Sequence, residues 1–281
     1  MKFFDWLRVV FLGIIEGVTE WLPVSSTGHL ILFERLWPGN EAVFTDEFVS
    51  MFDVLIQLGA ILAVITVFFH KLNPFSAYKT PAQKKNTWLL WSKVIVAVIP
   101  AAVFGLLFDD LMDKYLYNWG VVAGMLILYG IVFILIEKKY KNKNATVMRF
   151  SEMSYKTALF IGLFQILSLI PGTSRSGITI IGALLLGCSR YIATEFTFYL
   201  AIPVMFGASG LKLFKYLFIK KMALSGTQWL VLLVAMAVAY GVSIFIIKFL
   251  IGYVKRHDFT AFGWYRIGLG LLVLLLFAFI L

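Results

Sequence analysis

The sequence predicts an all-α, polytopic integral membrane protein, on three observations. Its 281 residues are 61% hydrophobic and only 14% charged, with a mean hydropathy of +0.90, far above the balance of a water-solvated domain. Six stretches are long and apolar enough to cross a hydrocarbon core, which takes about 20 residues of helix. Two further apolar regions are each interrupted by a proline followed by Ser, Thr and Gly.

The six crossings fall at roughly 49–70, 88–108, 119–137, 192–213, 228–251 and 262–281. The interrupted regions are 5–22 followed by 25–36, and 155–170 followed by 174–187. Their breaks read Pro23-Val-Ser-Ser-Thr-Gly28 and Pro171-Gly-Thr-Ser-Arg-Ser-Gly177. Proline removes a backbone donor and disfavours helix in the residue before it, whereas Ser and Thr cap the next helix. Each region therefore reads as a re-entrant helix hairpin rather than a full span. Lys2 and Arg8 precede the first apolar run, but Glu16 and Glu20 stand where a signal peptide would carry small residues, so the segment reads as retained.

The breaks correspond. Ser25, Thr27 and Gly28 map onto Ser174, Ser176 and Gly177 at a spacing of about 149, which Gly13 and Gly162 share. One residue off that register, Glu47-Phe48 and Gly59-Ala60 match Glu195-Phe196 and Gly207-Ala208. The chain thus reads as one membrane domain, 1–281, holding internal repeats of roughly 1–145 and 150–281. One hairpin and three crossings per repeat force the second copy to enter from the opposite side, so the repeats are expected to be inverted.

Charge placement sets the expected orientation. The net charge of +10 comes largely from lysines in short loops, which speaks for topology and against a nucleic-acid partner. Loops 71–87 and 138–156 carry Lys71, Lys79, Lys84, Lys85, Lys138, Lys139, Lys141, Lys143, Arg149 and Lys156 and read as cytoplasmic. Loops 37–48 and 109–118 are mostly acidic and read as outward. Loop 214–227, with Lys215, Lys220 and Lys221, is assigned outward by the crossing count against its charge. The lone Cys188 offers neither a disulfide nor a thiolate metal site.

Ionisable residues in membrane segments are costly and mark function. Glu16 and Glu20 share a helix face before the first break, His29 follows it, and Arg175 lies inside the second. Each break aims a helix N-terminus inward, a cradle for an anion. The hydroxyls of Ser25, Ser26, Thr27, Ser174, Ser176 and Thr179 add donors, and Arg175 can clamp a phosphate. The paired carboxylates Glu16 and Glu20 suit Mg²⁺ or Ca²⁺ with pyrophosphate oxygens completing the shell. Ser26 and Arg175 occupy equivalent repeat positions, so one is expected to act as nucleophile and the other as clamp, with His29 or Glu20 taking the serine proton. Asp109-Asp110-Leu-Met-Asp113 echoes a prenyl-transferase DDxxD pattern but stands without a second acidic cluster.

At Glu16-Gly-Val-Thr-Glu-Trp-Leu-Pro-Val-Ser-Ser-Thr-Gly-His29 and Pro171-Gly-Thr-Ser-Arg-Ser-Gly-Ile-Thr179 the sequence closely resembles the bacitracin-resistance type undecaprenyl pyrophosphate phosphatases. Gln57–Val64 and Phe198–Pro203 extend the likeness, which runs nearly end to end. The resemblance implies hydrolysis of undecaprenyl pyrophosphate to the monophosphate carrier lipid and phosphate, at the periplasmic side of the bacterial inner membrane, recycling the carrier for cell-wall synthesis. The implied partners are a polyprenyl pyrophosphate and membrane lipids. The architecture also suits an isoprenoid-lipid flippase or transporter, from which the serine, histidine and carboxylate cluster distinguishes a hydrolase. Small-residue spacing such as Gly13 with Gly17 points to close helix packing and leaves a homodimer open.

Overall fold

The computed structural model describes residues 2–140 and 144–279, apart from the side chains of Asp109, Asp110, Asp113 and Lys114. Lys141 and Lys143, and the side chains of the DDxxD-like run, therefore lie outside the described residues. The first half holds α1 (Phe3–Thr19), α2 (Ser26–Leu36), α3 (Asp46–Leu55), α4 (Gln57–Val67), α5 (Phe69–Leu72), α6 (Pro81–Leu116) and α7 (Trp119–Tyr140). The second holds α8 (Tyr155–Ile166), α9 (Arg175–Leu185), α10 (Arg190–Phe214), α11 (Gly226–Tyr253) and α12 (Thr260–Phe279).

Six helical stretches among the described residues are long and apolar enough to cross a membrane: Asp46–Val67, Pro81–Phe108, Trp119–Tyr140, Arg190–Ile219, Gly226–Tyr253 and Thr260–Phe279. All six coincide with the expected crossings. Polar caps start them where the apolar runs begin. Thr45 accepts from Phe48 N at 3.3 Å, Ser189 from Ile192 N at 3.3 Å, and Thr80 and Ser225 form capping boxes with Gln83 and Gln228, each satisfying amide groups the first turn leaves free.

Two loop expectations are corrected. The stretch 109–118 is not an outward loop, because α6 runs on to Leu116. Aspartates end membrane burial but do not break a helix, and no Gly or Pro intervenes between Asp109 and Leu116. Asn118 then caps α7, its Oδ1 accepting from Val121 N at 3.0 Å. The loop 214–227 is likewise shortened, since α10 passes into a π-helical turn at Lys215–Ile219.

The halves interlock by exchanging helices. α1 packs on α11 and α8 on α6, so each half's first helix lies against a crossing of the other half, while α7 packs on α12. Without a hydrophobic drive between helices in lipid, close backbone approach must hold them. Cβ atoms at Gly13 and Gly17 would sit 2.6 and 2.8 Å from the carbonyls of Ala235 and Ala239, and one at Gly162 would sit 2.1 Å from the Ala97 carbonyl. The Gly13–Gly17 stripe is therefore used within the chain.

Gly59 and its repeat counterpart Gly207 offer a paired test. A Cβ at Gly59 would lie 2.1 Å from the Met236 carbonyl, whereas nothing lies within 4 Å of one at Gly207. Gly59→Ala should cost about 1–3 kcal/mol through overpacking, and Gly207→Ala should be neutral or gain up to about 1 kcal/mol of helix propensity. Unfolding midpoints in detergent check this, and equal midpoints for the two variants would refute the α4–α11 contact.

Candidate active site at the two helix breaks

α2 and α9 are 11 residues each, about 16 Å at 1.5 Å per residue and half of what a crossing needs. Each begins with a serine in the same uncommon conformation: Ser25 at φ 74°, ψ 104° and Ser174 at φ 70°, ψ 115°. A positive φ costs a residue with a Cβ on the order of 1–3 kcal/mol and survives only where surroundings impose it. Here the hydroxyl uses the geometry. Ser25 Oγ accepts from Gly28 N at 3.4 Å and Ser174 Oγ from Gly177 N at 3.2 Å. The second break also needs Gly172, at φ 88°, where a Cβ would meet the Val122 carbonyl at 2.6 Å.

The breaks face one another. Ser176 Oγ donates to the Leu22 carbonyl at 3.2 Å, joining the second break to the first. Between them Glu20, only 7% exposed, accepts from both halves: Ser26 Oγ donates to Oε2 at 2.9 Å and Arg175 Nη2 to Oε1 at 2.8 Å. Arg175 is aimed by a second bond, from Nη1 to the Thr197 carbonyl at 3.0 Å, and by the Trp21 ring 5.7 Å away. The result is a hydroxyl with a carboxylate ready to take its proton and a guanidinium alongside. These groups border a cavity of about 150 Å³ that Ser25, Ser26, Thr27, Ser174 and Ser176 also line. Larger hollows of about 640 and 800 Å³ lie near the lysine-rich loops, away from these residues.

Two expected residues, His29 and Thr179, sit differently. His29 does not hold the Ser26 hydroxyl: its Nδ1 is 2.7 Å from the Ser25 carbonyl and its Nε2 2.7 Å from Tyr265 Oη. A carbonyl only accepts, so Nδ1 carries the proton and, in the neutral ring, Nε2 accepts from the tyrosine. Of the two expected bases, geometry places Glu20 on Ser26. Thr179 is fully buried and bonds the Arg175 carbonyl at 2.9 Å and Thr197 Oγ1 at 2.8 Å, fastening α9 to α10 rather than lining the cavity. Glu16, fully buried one turn before Glu20, has no hydrogen-bond partner for either carboxylate oxygen among the described residues.

A hard cation would find that orphaned pair free, although Glu16 is not among the residues that line the cavity. Both Glu20 oxygens are taken, and among the described residues no group of three His, Cys, Asp or Glu is placed to hold a metal. Further ligands would have to come from phosphate oxygens or water.

Sequence reasoning passed over two residues. Gln165 is the counterpart of Glu16 in the 149-residue register, and it too is fully buried with neither amide atom partnered among the described residues. Arg266, fully buried in α12, donates to the Pro23 carbonyl at 3.2 Å and to those of Gly172 and Thr173 at 2.9 Å. An arginine inside an otherwise apolar span was the available signal.

The chain is similar to known proteins along most of its length. The chain matches the family described as Bacitracin resistance protein BacA over residues 9–272. It is 55% identical to an undecaprenyl-diphosphatase of Streptococcus mutans, covering 98% of this chain and 96% of that one. It is 53% identical to an undecaprenyl-diphosphatase of Enterococcus faecalis over 98% of each chain, and 55% identical to one of Acetivibrio thermocellus over 96% of this chain and 97% of that one. With the match running from α1 to α12 through both breaks, the chain belongs to the bacitracin resistance protein BacA family.

Proposed function

We propose that this protein hydrolyses undecaprenyl pyrophosphate to undecaprenyl phosphate and inorganic phosphate, recycling the carrier lipid for peptidoglycan synthesis and conferring bacitracin resistance. The observation that carries the reading is Glu20 bonded at once to Ser26 and Arg175 beside one cavity. The activity named for the relatives supports the substrate. The enzyme works in the bacterial inner membrane with its site open to the periplasm, an orientation supported by the lysines of loops 71–87 and 138–156. Inverted repeats at 1–145 and 150–281 are supported by the matched Ser25 and Ser174 geometry and the exchanged helix packing.

In this mechanism Ser26 Oγ attacks the terminal phosphorus while its proton passes to Glu20 Oε2. The bond from that phosphorus to the bridging oxygen breaks, and undecaprenyl phosphate leaves. Water then cleaves the phosphoserine, releasing phosphate and restoring the hydroxyl. Arg175 and the N-termini of α2 and α9 stabilise negative charge on the transferring oxygens. His29, held between Ser25 and Tyr265, fixes the first turn of α2 and so the position of Ser26. A bound Mg²⁺ or Ca²⁺ would neutralise pyrophosphate charge, and Glu16 would hold it with its two free oxygens.

Ser26→Ala and Arg175→Ala should each lower phosphate release from undecaprenyl pyrophosphate by about 100-fold or more in detergent-purified protein. Retained turnover in Ser26→Ala would replace serine attack by direct attack of water, and an Arg175→Ala enzyme above half of wild-type activity would remove the clamp.

Chelation should abolish release, and Glu16→Gln should raise the Mg²⁺ or Ca²⁺ concentration needed for half-maximal rate. Titrating each ion back into chelated protein checks this; a chelated wild type at full rate would discard the cation.

A further inference from the structure

We propose that Arg266 is a positioning residue for this hydrolysis: it holds carbonyls of both helix breaks away from the phosphate cavity and thereby turns the Ser174 N–H of the second break towards the anion. The inference rests on the function proposed above. A helix break is chemically two-faced, since each freed peptide carries a donor and an acceptor, and a carbonyl turned into the cavity would repel a polyphosphate as strongly as an N–H would attract it.

Arg266 reaches Pro23 in the first break and Gly172 and Thr173 in the second, so one planar guanidinium gathers acceptors from both halves. Arg266 does not border the cavity, whereas Ser174 does. In a planar trans peptide the C=O and the following N–H point in opposite directions. Pulling the Thr173 carbonyl onto Arg266 therefore directs the Ser174 N–H away from Arg266, to the side on which the substrate phosphate is expected. The neighbouring Thr173 N–H is already used on the Ile170 carbonyl at 3.2 Å, which leaves Ser174 as the backbone donor that this orientation supplies.

Room for the arginine is built in. A Cβ on Gly177, in the first turn of α9, would stand 3.3 Å from Arg266 Nη1, so glycine there lets the guanidinium pass close to the helix start. Every hydrogen bond recorded for Arg266 goes to a carbonyl and none to a carboxylate. Its charge is therefore not cancelled by an acid at contact, and it adds to the positive ends of α2 and α9 behind the anion site.

Lysine keeps the charge but concentrates its donors at one point, which cannot serve carbonyls on two breaks in the way a guanidinium fork does. Methionine keeps the bulk and loses both. The experiment measures kcat and KM for phosphate release from undecaprenyl pyrophosphate in Arg266→Lys and Arg266→Met, alongside wild type and with elution and thermal midpoint followed in detergent. Displaced reacting groups cost on the order of 100-fold. Arg266→Lys is therefore expected to lose about 10- to 100-fold in kcat with KM within about 3-fold of wild type. Arg266→Met is expected to lose at least as much in kcat and to raise KM about 10-fold or more. A lysine variant above half of wild-type kcat overturns the inference, as does a folded methionine variant with unchanged KM. Where the methionine variant does not survive purification, the lysine variant alone decides. No release from folded wild-type protein would instead defeat the hydrolase reading itself, an outcome these variants cannot mimic.

Discussion

A helix broken inside an apolar bundle frees peptide groups that its apolar neighbours cannot satisfy, and much of this site follows from satisfying them. Ser25 and Ser174 cap their own helices, Ser176 bonds the Leu22 carbonyl, and Arg266 takes three further carbonyls. These bonds make the breaks rigid and fasten them together. The same groups that would be a liability in hydrocarbon become, once ordered, an array of oriented dipoles around a small cavity. Electrostatic catalysis needs dipoles whose orientation is set before the reaction, and the membrane enforces that requirement for reasons of solvation alone.

Rigidity of this kind depends on the packing around it. The glycines that bring α1 onto α11, α4 onto α11 and α8 onto α6 leave carbonyls too close for a methyl group. Because those pairings cross between the halves, neither break can shift without displacing helices of both. The link from packing to chemistry is direct: Ser26 stands on the first half, Arg175 on the second, and Glu20 bonds both. The geometry of this cluster is thus set by helix contacts well away from it.

The fold and the two helix breaks were legible in the sequence, and the contacts between the breaks were not. Proline followed by hydroxyl residues and glycine marked both breaks, because those residue types carry their local geometry with them. The six crossings were legible from hydropathy for the same reason. By contrast, Glu20 rather than His29 on Ser26 depends on where two segments meet in space, and His29 was drawn off by Tyr265, 236 residues away. Arg266 could be flagged by its charge, but its contacts with Pro23, Gly172 and Thr173 join three separate stretches of chain. The helical run to Leu116 was missed because acidic residues were taken to signal a loop, when they signal only an end to burial.

Repeat-related positions show why such a scaffold must lose its symmetry to become a catalyst. Phosphoryl transfer needs a nucleophile on one side of phosphorus and charge stabilisation around it, which two identical half-sites cannot provide together. Ser26 and Arg175 stand at equivalent positions in the 149-residue register and, in the mechanism proposed above, differ in that sense. In the same register Glu16 corresponds to Gln165, alike in burial and in having no hydrogen-bond partner for its side chain among the described residues, yet only one of them is ionisable. A glutamine at the equivalent position keeps the polar volume without adding a second acid there. Symmetry supplies the two facing helix starts, and substitution at a few equivalent positions turns them into unlike partners.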